Sequence, residues 1–413
     1  MFLRRICRNF AAVRDSFEVQ DIYTVMFKLP QERPQALKNV IQSLSDHHSN
    51  LTHIESMPTN VLDSESGYTF LLDFQAPDNQ EFQQLIQEVK QVCQDVSVVG
   101  SQEVPWFPRK LSDLNQLTQD IYRLPLDHPG YSDPNFWSRR QELGNTAMKV
   151  SIADPIPEID YTTEETKTWE TLLKALNPLL PGVACRDFLK GLEEMRQKGL
   201  IQQNKVPQTK DINQWLKEKS DFTLKPIAYI CNTRDFLNCL AFRVFPLSWH
   251  VRHPNKPYFS MDSDLAHFAI GHAPLLANPE FADFVQELGL ASLGAIQDDI
   301  DRLMRLYVYS VELGVTTDFS GAKEIYGARI LSSPDEIQNC LSKASKWKPF
   351  NPYKVSYKMY DSEHLQSTYY YSTDWRETKA ACMKFESSLT RPFRATFDRC
   401  NKVVKVDHKI RTV

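Results

Sequence analysis

Apolar positions along the first hundred residues switch between two periods. Ile22 to Leu29 (IYTVMFKL) alternates apolar and polar residues as a half-buried strand does. Pro34 to His47 (PQALKNVIQSLSDH) instead returns an apolar residue every three or four positions, the mark of an amphipathic helix. LTHIESM from Leu51 and YTFLLDFQ from Tyr68 read as strands, EFQQLIQEVKQV from Glu81 as a second helix, and DVSVVG from Asp95 as a closing strand. The order predicted over 19–100 is therefore strand-helix-strand-strand-helix-strand. Residues 100–135 are rich in proline and polar residues and read as a linker that becomes the next domain near Val104 to Pro108. Helical spacing dominates thereafter. Thr162 with Glu165 forms a capping box ahead of Trp169, Leu172, Leu173 and Leu176. Pro279 opens a helix carrying Phe281, Phe284, Val285 and Leu288, and a third stripe uses Ile300, Leu303, Tyr307 and Val311. Near the end, TYYYSTDW, FRATFDRC and KVVKVDHKI alternate like strands, the last two as a hairpin turning around Asp398 to Asn401. The expected fold class is α+β. Its divisions are a basic arm over 1–18, a small regulatory-sized domain over 19–100, a mainly α-helical domain over 101–380 and a β-ribbon over 381–413.

Composition narrows the function classes. A net charge of -4 and a pI near 6.2 give no basic footprint for nucleic acid. No apolar run approaches a membrane span. Glycine is scarce, at 13 residues, and no GxGxxG or GxxxxGK[ST] follows a strand, which disfavours dinucleotide and P-loop chemistry. The eight cysteines form no CxxC pair, so free thiols in the cytoplasm are the expectation. The first fourteen residues carry four arginines and no acid, the charge balance of a mitochondrial transit peptide or of a plain basic tail.

Candidate chemistry gathers between Arg252 and Ala277, RHPNKPYFSMDSDLAHFAIGHAPLLA, around His267 and His272. Downstream, Glu312 in YVYSVELG has no cation three or four positions away and sits on a largely apolar stripe, so something distant must neutralise it. Two histidines and a carboxylate make a facial triad suited to non-haem iron(II). The spacing argues the other way: five residues of ideal α-helix turn through roughly 500°, leaving the rings about 140° apart. The two would converge only if the helix is distorted or ends nearby, which Gly271 and Pro274 permit. Ordinary core or surface histidines remain the alternative.

The same segment resembles the iron-binding core of the tetrahydrobiopterin-dependent aromatic amino acid hydroxylases. Asp264, His267 and His272 followed by APLLA, then GLASLGA from Gly289 and Glu312 in VELG, follow that family's order. So do VPWFPRKLSDL from Val104, DHPGYSDP from Asp127, DPIPEIDYTTEETKTW from Asp154, TRDFLNCLAFRVF from Thr233, YGARILSS from Tyr326 and RPF from Arg391. The stretch before them has the element order of the ferredoxin-like split unit and resembles the ACT module of the phenylalanine members, LTHIES included.

That resemblance implies an iron(II)- and tetrahydrobiopterin-dependent monooxygenase that hydroxylates an aromatic amino acid, phenylalanine first, with dioxygen as co-substrate. It implies His267, His272 and Glu312 as metal ligands with Tyr307 close to the iron. Arg252 would bind the substrate carboxylate, held by Asp264, which is also a candidate helix cap. Ser260 and Ser332 would lie near the substrate, and Phe236 and Thr233 would bind the pterin, Phe236 as the stacking ring. Several positions depart from the family: Phe268 replaces a glutamate and Pro246 a histidine that approach the pterin, and Tyr229 and Cys231 alter its loop. Arg329 replaces a small residue, Val308 a bulky aromatic, and Gln35 a glycine where an effector would approach closely. These departures favour the alternative of a catalytically impaired amino-acid sensor. The short chain after the ribbon leads to the expectation of a homodimer.

Overall fold

The computed structural model describes residues 22–30, 34–58, 67–77, 79–99, 103–120, 124–317, 321–389, 391, 393–407 and 411–412. The basic arm expected over 1–18 lies outside them. The chain forms two compact units, one drawn mainly from residues before Pro105 and the other running from Pro105 to Arg391 with residues 395–405.

In the first unit the element order is the one that the alternating periods predict. Strands β1 (Ile22–Pro30), β2 (Asn50–Pro58), β3 (Gly67–Gln75) and β4 (Gln94–Val99) form an antiparallel sheet in the order β2-β3-β1-β4, with helices α1 (Pro34–Asp46) and α2 (Asn79–Val92) between them in the chain. Val25, Phe27 and Leu29 of β1 share the core with Leu72 and Phe74 of β3, and the helices add Val40, Leu44, Leu85 and Val89. Period two on the strands and period 3.6 on the helices bury one common surface. Gln35 is exposed in the first turn of α1.

His47 ties the two helices. Its Nδ1 lies 2.7 Å from a Glu81 carboxylate oxygen and its Nε2 3.2 Å from one of Glu88. The hydrogen bond to Glu81 raises the imidazole's pKa above its ordinary 6.5, against an opposing effect of burial. A raised histidine stabilises fully below its unfolded pKa and loses that contribution as pH climbs through the folded one. Thermal unfolding of wild type and His47→Gln across about pH 5–9 is therefore expected to show a wild-type advantage on the acid side that fades above about 6.5.

The second unit is organised around helix α7 (Pro279–Ser292), in which Phe281, Phe284, Val285 and Leu288 are buried. It packs against α6 (Thr233–Ala241) at Gly289, where an added Cβ would come within 2.2 Å of the Ala241 nitrogen. Earlier helices α3 (Pro134–Ala147), α4 (Thr163–Leu176) and α5 (Arg186–Gln197) enclose the same core. The Thr162–Glu165 capping box is formed, and Trp169, Leu172, Leu173 and Leu176 are buried behind it. Strands β5 (Val315–Thr317), β6 (Lys323–Ile325), β7 (Lys346–Pro349) and β8 (Thr368–Ser372) make a mixed sheet in the order β6-β5-β8-β7. β8 lies within TYYYSTDW, read as a strand from the sequence, whereas β5, β6 and β7, of three or four residues, are too short to show alternation. The hairpin strands are β9 (Ala395–Asp398) and β10 (Val403–Val406), so the ribbon begins later than 381. Residues 381–386 instead end helix Trp375–Glu386, whose first turn Asp374 caps. Among the described residues no helix is long and apolar enough to cross a membrane.

Candidate metal centre

The α-helical geometry that would have kept His267 and His272 apart is not the geometry of this segment. Residues His267–His272 form a π-helical turn, closed by the Ala273 N–H donating to the Phe268 carbonyl. An i→i+5 turn holds one residue more than an α turn, so residue i+5 returns close to the azimuth of residue i. Gly271 lets the turn pack closely on its neighbour. It presses on helix α8 (Ala328–Leu331), where a Cβ would meet the Ala328 carbonyl oxygen at 2.4 Å. Pro274 starts the short helix Ala273–Leu276 that follows. Glu312 is delivered the same way: helix Gln297–Tyr307 widens into a second π turn, Val308–Glu312, with the Leu313 N–H 2.8 Å from the Val308 carbonyl.

The outcome is convergence. His267 Nε2 and His272 Nε2 are 3.0 Å apart, His272 Nε2 is 3.0 Å from Glu312 Oε1, and His267 Nε2 is 3.2 Å from Glu312 Oε2. Donors about 2.1 Å from one ion and mutually at right angles lie about 3.0 Å apart, so the triad fits one face of an octahedron. Among the described residues it is the only group of three or more His, Cys, Asp or Glu side chains so placed. Burial pushes the Glu312 pKa up, yet the two imidazoles outweigh it and hold the carboxyl well below its ordinary value. Burial keeps His272 below the ordinary histidine pKa. Two neutral imidazoles and one carboxylate are the protonation states in which a cation is bound.

Surrounding polar groups fix the donors. The Ser332 hydroxyl donates its one proton to the Ala328 carbonyl at 2.8 Å, so toward His267 Nδ1, 3.1 Å away, its oxygen accepts. Nδ1 then carries the ring proton and Nε2 offers its lone pair to the centre. Among the described residues buried His272 Nδ1 has no hydrogen-bond partner, and that ring is held by packing against Phe245 at 4.7 Å and Tyr307 at 6.4 Å. Asp264 does two tasks. Its Oδ1 accepts from the His267 backbone N–H at 2.8 Å, capping the turn, and its two oxygens accept from Arg252 Nε and Nη2 at 2.8 and 2.9 Å. Arg252 Nη1 reaches the Ser332 carbonyl at 3.1 Å and the Pro257 carbonyl at 3.3 Å, which closes a ring of contacts from Asp264 through His267 and Ser332 back to Arg252. The guanidinium fork is thus spent on Asp264, and one Nη2 N–H remains for a carboxylate ligand.

The other expected site residues fall in different surroundings. The Ser260 hydroxyl bonds to Asp262, which also pairs with Arg140 at 2.7 Å and approaches His250 Nε2 at 3.2 Å. Sequence reasoning missed that buried network, because its members are spread over more than a hundred residues. Tyr307 is fully buried; burial, then the charge and the neighbouring carboxylate of Glu312, raise its pKa far above the ordinary phenol value. Phe236 and Thr233 lie on the exposed side of α6, both partly buried. The ring contacts of Phe236, to Tyr307 at 5.1 Å and Phe245 at 5.9 Å, are both edge-to-face. Phe268 is buried against Phe245 at 5.0 Å, and Pro246 is buried in the strand Val244–Leu247. Cys231 is buried, while the Tyr229 N–H bonds to the Gln119 side chain. The wall beside His272 is therefore aromatic and apolar. Val308 is buried within its π turn.

The family model for biopterin-dependent aromatic amino acid hydroxylases matches residues 105–413. The tyrosine 3-monooxygenase of Bos taurus is 34% identical over 382 residues, 91% of this chain and 77% of that protein. The phenylalanine-4-hydroxylase of Dictyostelium discoideum is also 34% identical over 382 residues, 90% of this chain and 86% of that one. Among solved structures, Chromobacterium violaceum phenylalanine hydroxylase with bound iron(III) and oxidised 7,8-dihydrobiopterin superposes with a TM-score of 0.52 at 28% identity, covering 62% of this chain and 93% of that one.

Proposed function

The chain belongs to the biopterin-dependent aromatic amino acid hydroxylase family, whose members depend on iron and a pterin, and from that membership we propose that it converts L-phenylalanine to L-tyrosine. The observation that carries an active enzyme is the convergence of His267, His272 and Glu312 on one centre, with His267 locked by Ser332 in the ligating tautomer. Relatives acting on tyrosine and on phenylalanine are equally similar at 34%, so identity does not choose the substrate. The preference for phenylalanine rests on the first unit, whose βαββαβ order resembles the ACT module of the phenylalanine members, and on WFPRKLSDL. We read that unit as regulatory and the β9–β10 hairpin as the seat of a homodimer.

Bound iron and reduced pterin would supply the electrons for activating dioxygen toward ring hydroxylation. The chain's own residues do the positioning. His267, His272 and Glu312 would hold the metal. Phe236 offers a stacking face to the pterin, and Phe245 and Phe268 keep water from that side of His272. Arg252, with its charge balanced by Asp264, offers one N–H to the substrate carboxylate.

Purified protein loaded with iron(II) and given oxygen, tetrahydrobiopterin and phenylalanine, tyrosine and tryptophan in parallel is expected to yield one dominant hydroxylated product by mass spectrometry, dependent on pterin. Phe268 and Pro246 favour a second reading, an amino-acid sensor that has lost turnover. No product from any of the three amino acids, together with no bound iron, would replace the first reading with the second; no product despite bound iron would point to the altered pterin side of the site.

A further inference from the structure

We propose that Arg329 is a positioning residue that pins segment 359–366 between helix α8 and the turn that carries Glu312, and thereby sets which aromatic side chain the site admits. The inference rests on the reading of the site as one for an aromatic amino acid. Arg329 lies in α8, the helix that supports Gly271, three residues before Ser332, which holds His267. Its Nη1 donates to the Asp361 carbonyl at 3.0 Å, and its Nη2 to the carbonyls of Ser362 at 3.3 Å and His364 at 3.0 Å. Three carbonyls from four consecutive residues thus meet one planar fork, whose stem crosses Phe259 with Cζ 5.5 Å from the ring centre.

The segment is anchored on its other side by the element that carries Glu312. The hydroxyl of Tyr309, three residues before Glu312, donates to the Met359 carbonyl at 2.7 Å, and the Tyr309 and Tyr360 rings meet edge-to-face at 6.5 Å. Tyr360 is near enough to the ligand that the Glu312 charge, after burial, raises its phenol pKa. Within the segment, Asp361 accepts from the Glu363 and His364 N–H groups at 2.9 Å each, and the Gln366 N–H donates to buried Glu336 at 3.0 Å. Met359 and Leu365 are exposed while Tyr360 packs against the core, so beyond Tyr360 the segment is held largely by these hydrogen bonds. A small residue at 329 would leave three carbonyls without their donor, and the segment would loosen. Arg329, itself partly buried, spends its fork on the segment's exposed backbone. It acts as a strut.

The full iron(II)-loaded chain tests this as wild type, Arg329→Ala and Arg329→Lys. Hydrogen exchange by mass spectrometry reads the order of the segment, and calorimetry reads the Kd of phenylalanine, tyrosine and tryptophan. In Arg329→Ala, exchange across 361–366 is expected to quicken about 10-fold with 267–276 unchanged. The Kd of the preferred amino acid is expected to rise about 10-fold, with a smaller rise for the others, so that the selectivity ratio falls. Arg329→Lys, which keeps the charge and satisfies fewer carbonyls, should recover part of both effects. Unchanged exchange in Arg329→Ala, or faster exchange with an unchanged selectivity ratio, would overturn the proposal. A shifted ratio in a protein that makes no product would uphold the strut and overturn only the hydroxylase reading. Wild type that binds none of the three amino acids would overturn both.

Discussion

Single replacement of His267, His272 or Glu312 by alanine is expected to reduce bound iron from about one per chain to near zero and to abolish hydroxylation, with the fold retained. The reason is geometric. Each donor lies about 3.0 Å from its nearest fellow donor, so removing one leaves two ligands and no closed face. Calorimetry separates loss of metal from loss of fold. At iron(II) about 100-fold above its Kd, wild type gains about 2.7 kcal/mol and its unfolding moves up by several degrees, whereas the three variants gain nothing. Ser332→Ala should fall between, because His267 keeps its place in the π turn but loses the acceptor that fixes its tautomer; a 10- to 100-fold weaker affinity is the order expected. Wild-type iron content in any alanine variant of the triad would sink the ligand assignment.

What the sequence revealed and what it hid divide along physical lines. Half-buried surfaces write their period into the chain, so Val25, Phe27 and Leu29, or Trp169, Leu172 and Leu176, announce both element type and core face. In the mixed sheet Thr368–Ser372 was legible as a strand, but Val315–Thr317 and Lys323–Ile325 were not, because three residues carry no period. The triad was legible as residue types and through a family resemblance, but its geometry was not. His267 and His272 have the same spacing in an α turn and in a π turn, and the packing of Gly271 on Ala328, a contact between residues 57 positions apart, leaves no trace in that spacing. The Ser260 hydroxyl turns to Asp262 only two positions on, but Asp262 is itself paired with Arg140, 122 positions away, and the Arg329 fork turns to three loop carbonyls 32 to 35 positions on. A side chain's direction is a property of what surrounds it, and only the identity of Arg329, not its target, is local information.

Arg252→Ala is expected to cost about 3–5 kcal/mol, because it leaves the buried carboxylate of Asp264 without its counter-charge. In wild type, burial pushes the Asp264 pKa up, but Arg252 outweighs it, and the carboxyl titrates below its ordinary value. A depressed carboxylate contributes stability above its unfolded pKa, about 3.9, and loses it only as pH falls through the folded one, so wild type should be insensitive to pH from about 5 upward at this position. Without Arg252 the sign reverses. Burial then dominates, the folded pKa rises above the unfolded one, and the folded state binds the extra proton, so stability falls as pH rises. Urea unfolding of Arg252→Ala at about pH 5 and pH 8 should therefore show the larger deficit at pH 8. Replacing both partners, Arg252→Met with Asp264→Leu, should recover most of the lost stability, since an apolar pair of similar volume avoids the buried charge. It should not recover the site: the same Asp264 oxygen caps the His267 N–H, so the double variant is expected to bind iron more weakly than wild type despite near-normal stability. A double variant that regains stability and iron affinity together would mean that Asp264 serves the fold alone. If Arg252→Ala instead shows an equal deficit at both pH values, Asp264 finds another counter-charge or water once the guanidinium is gone.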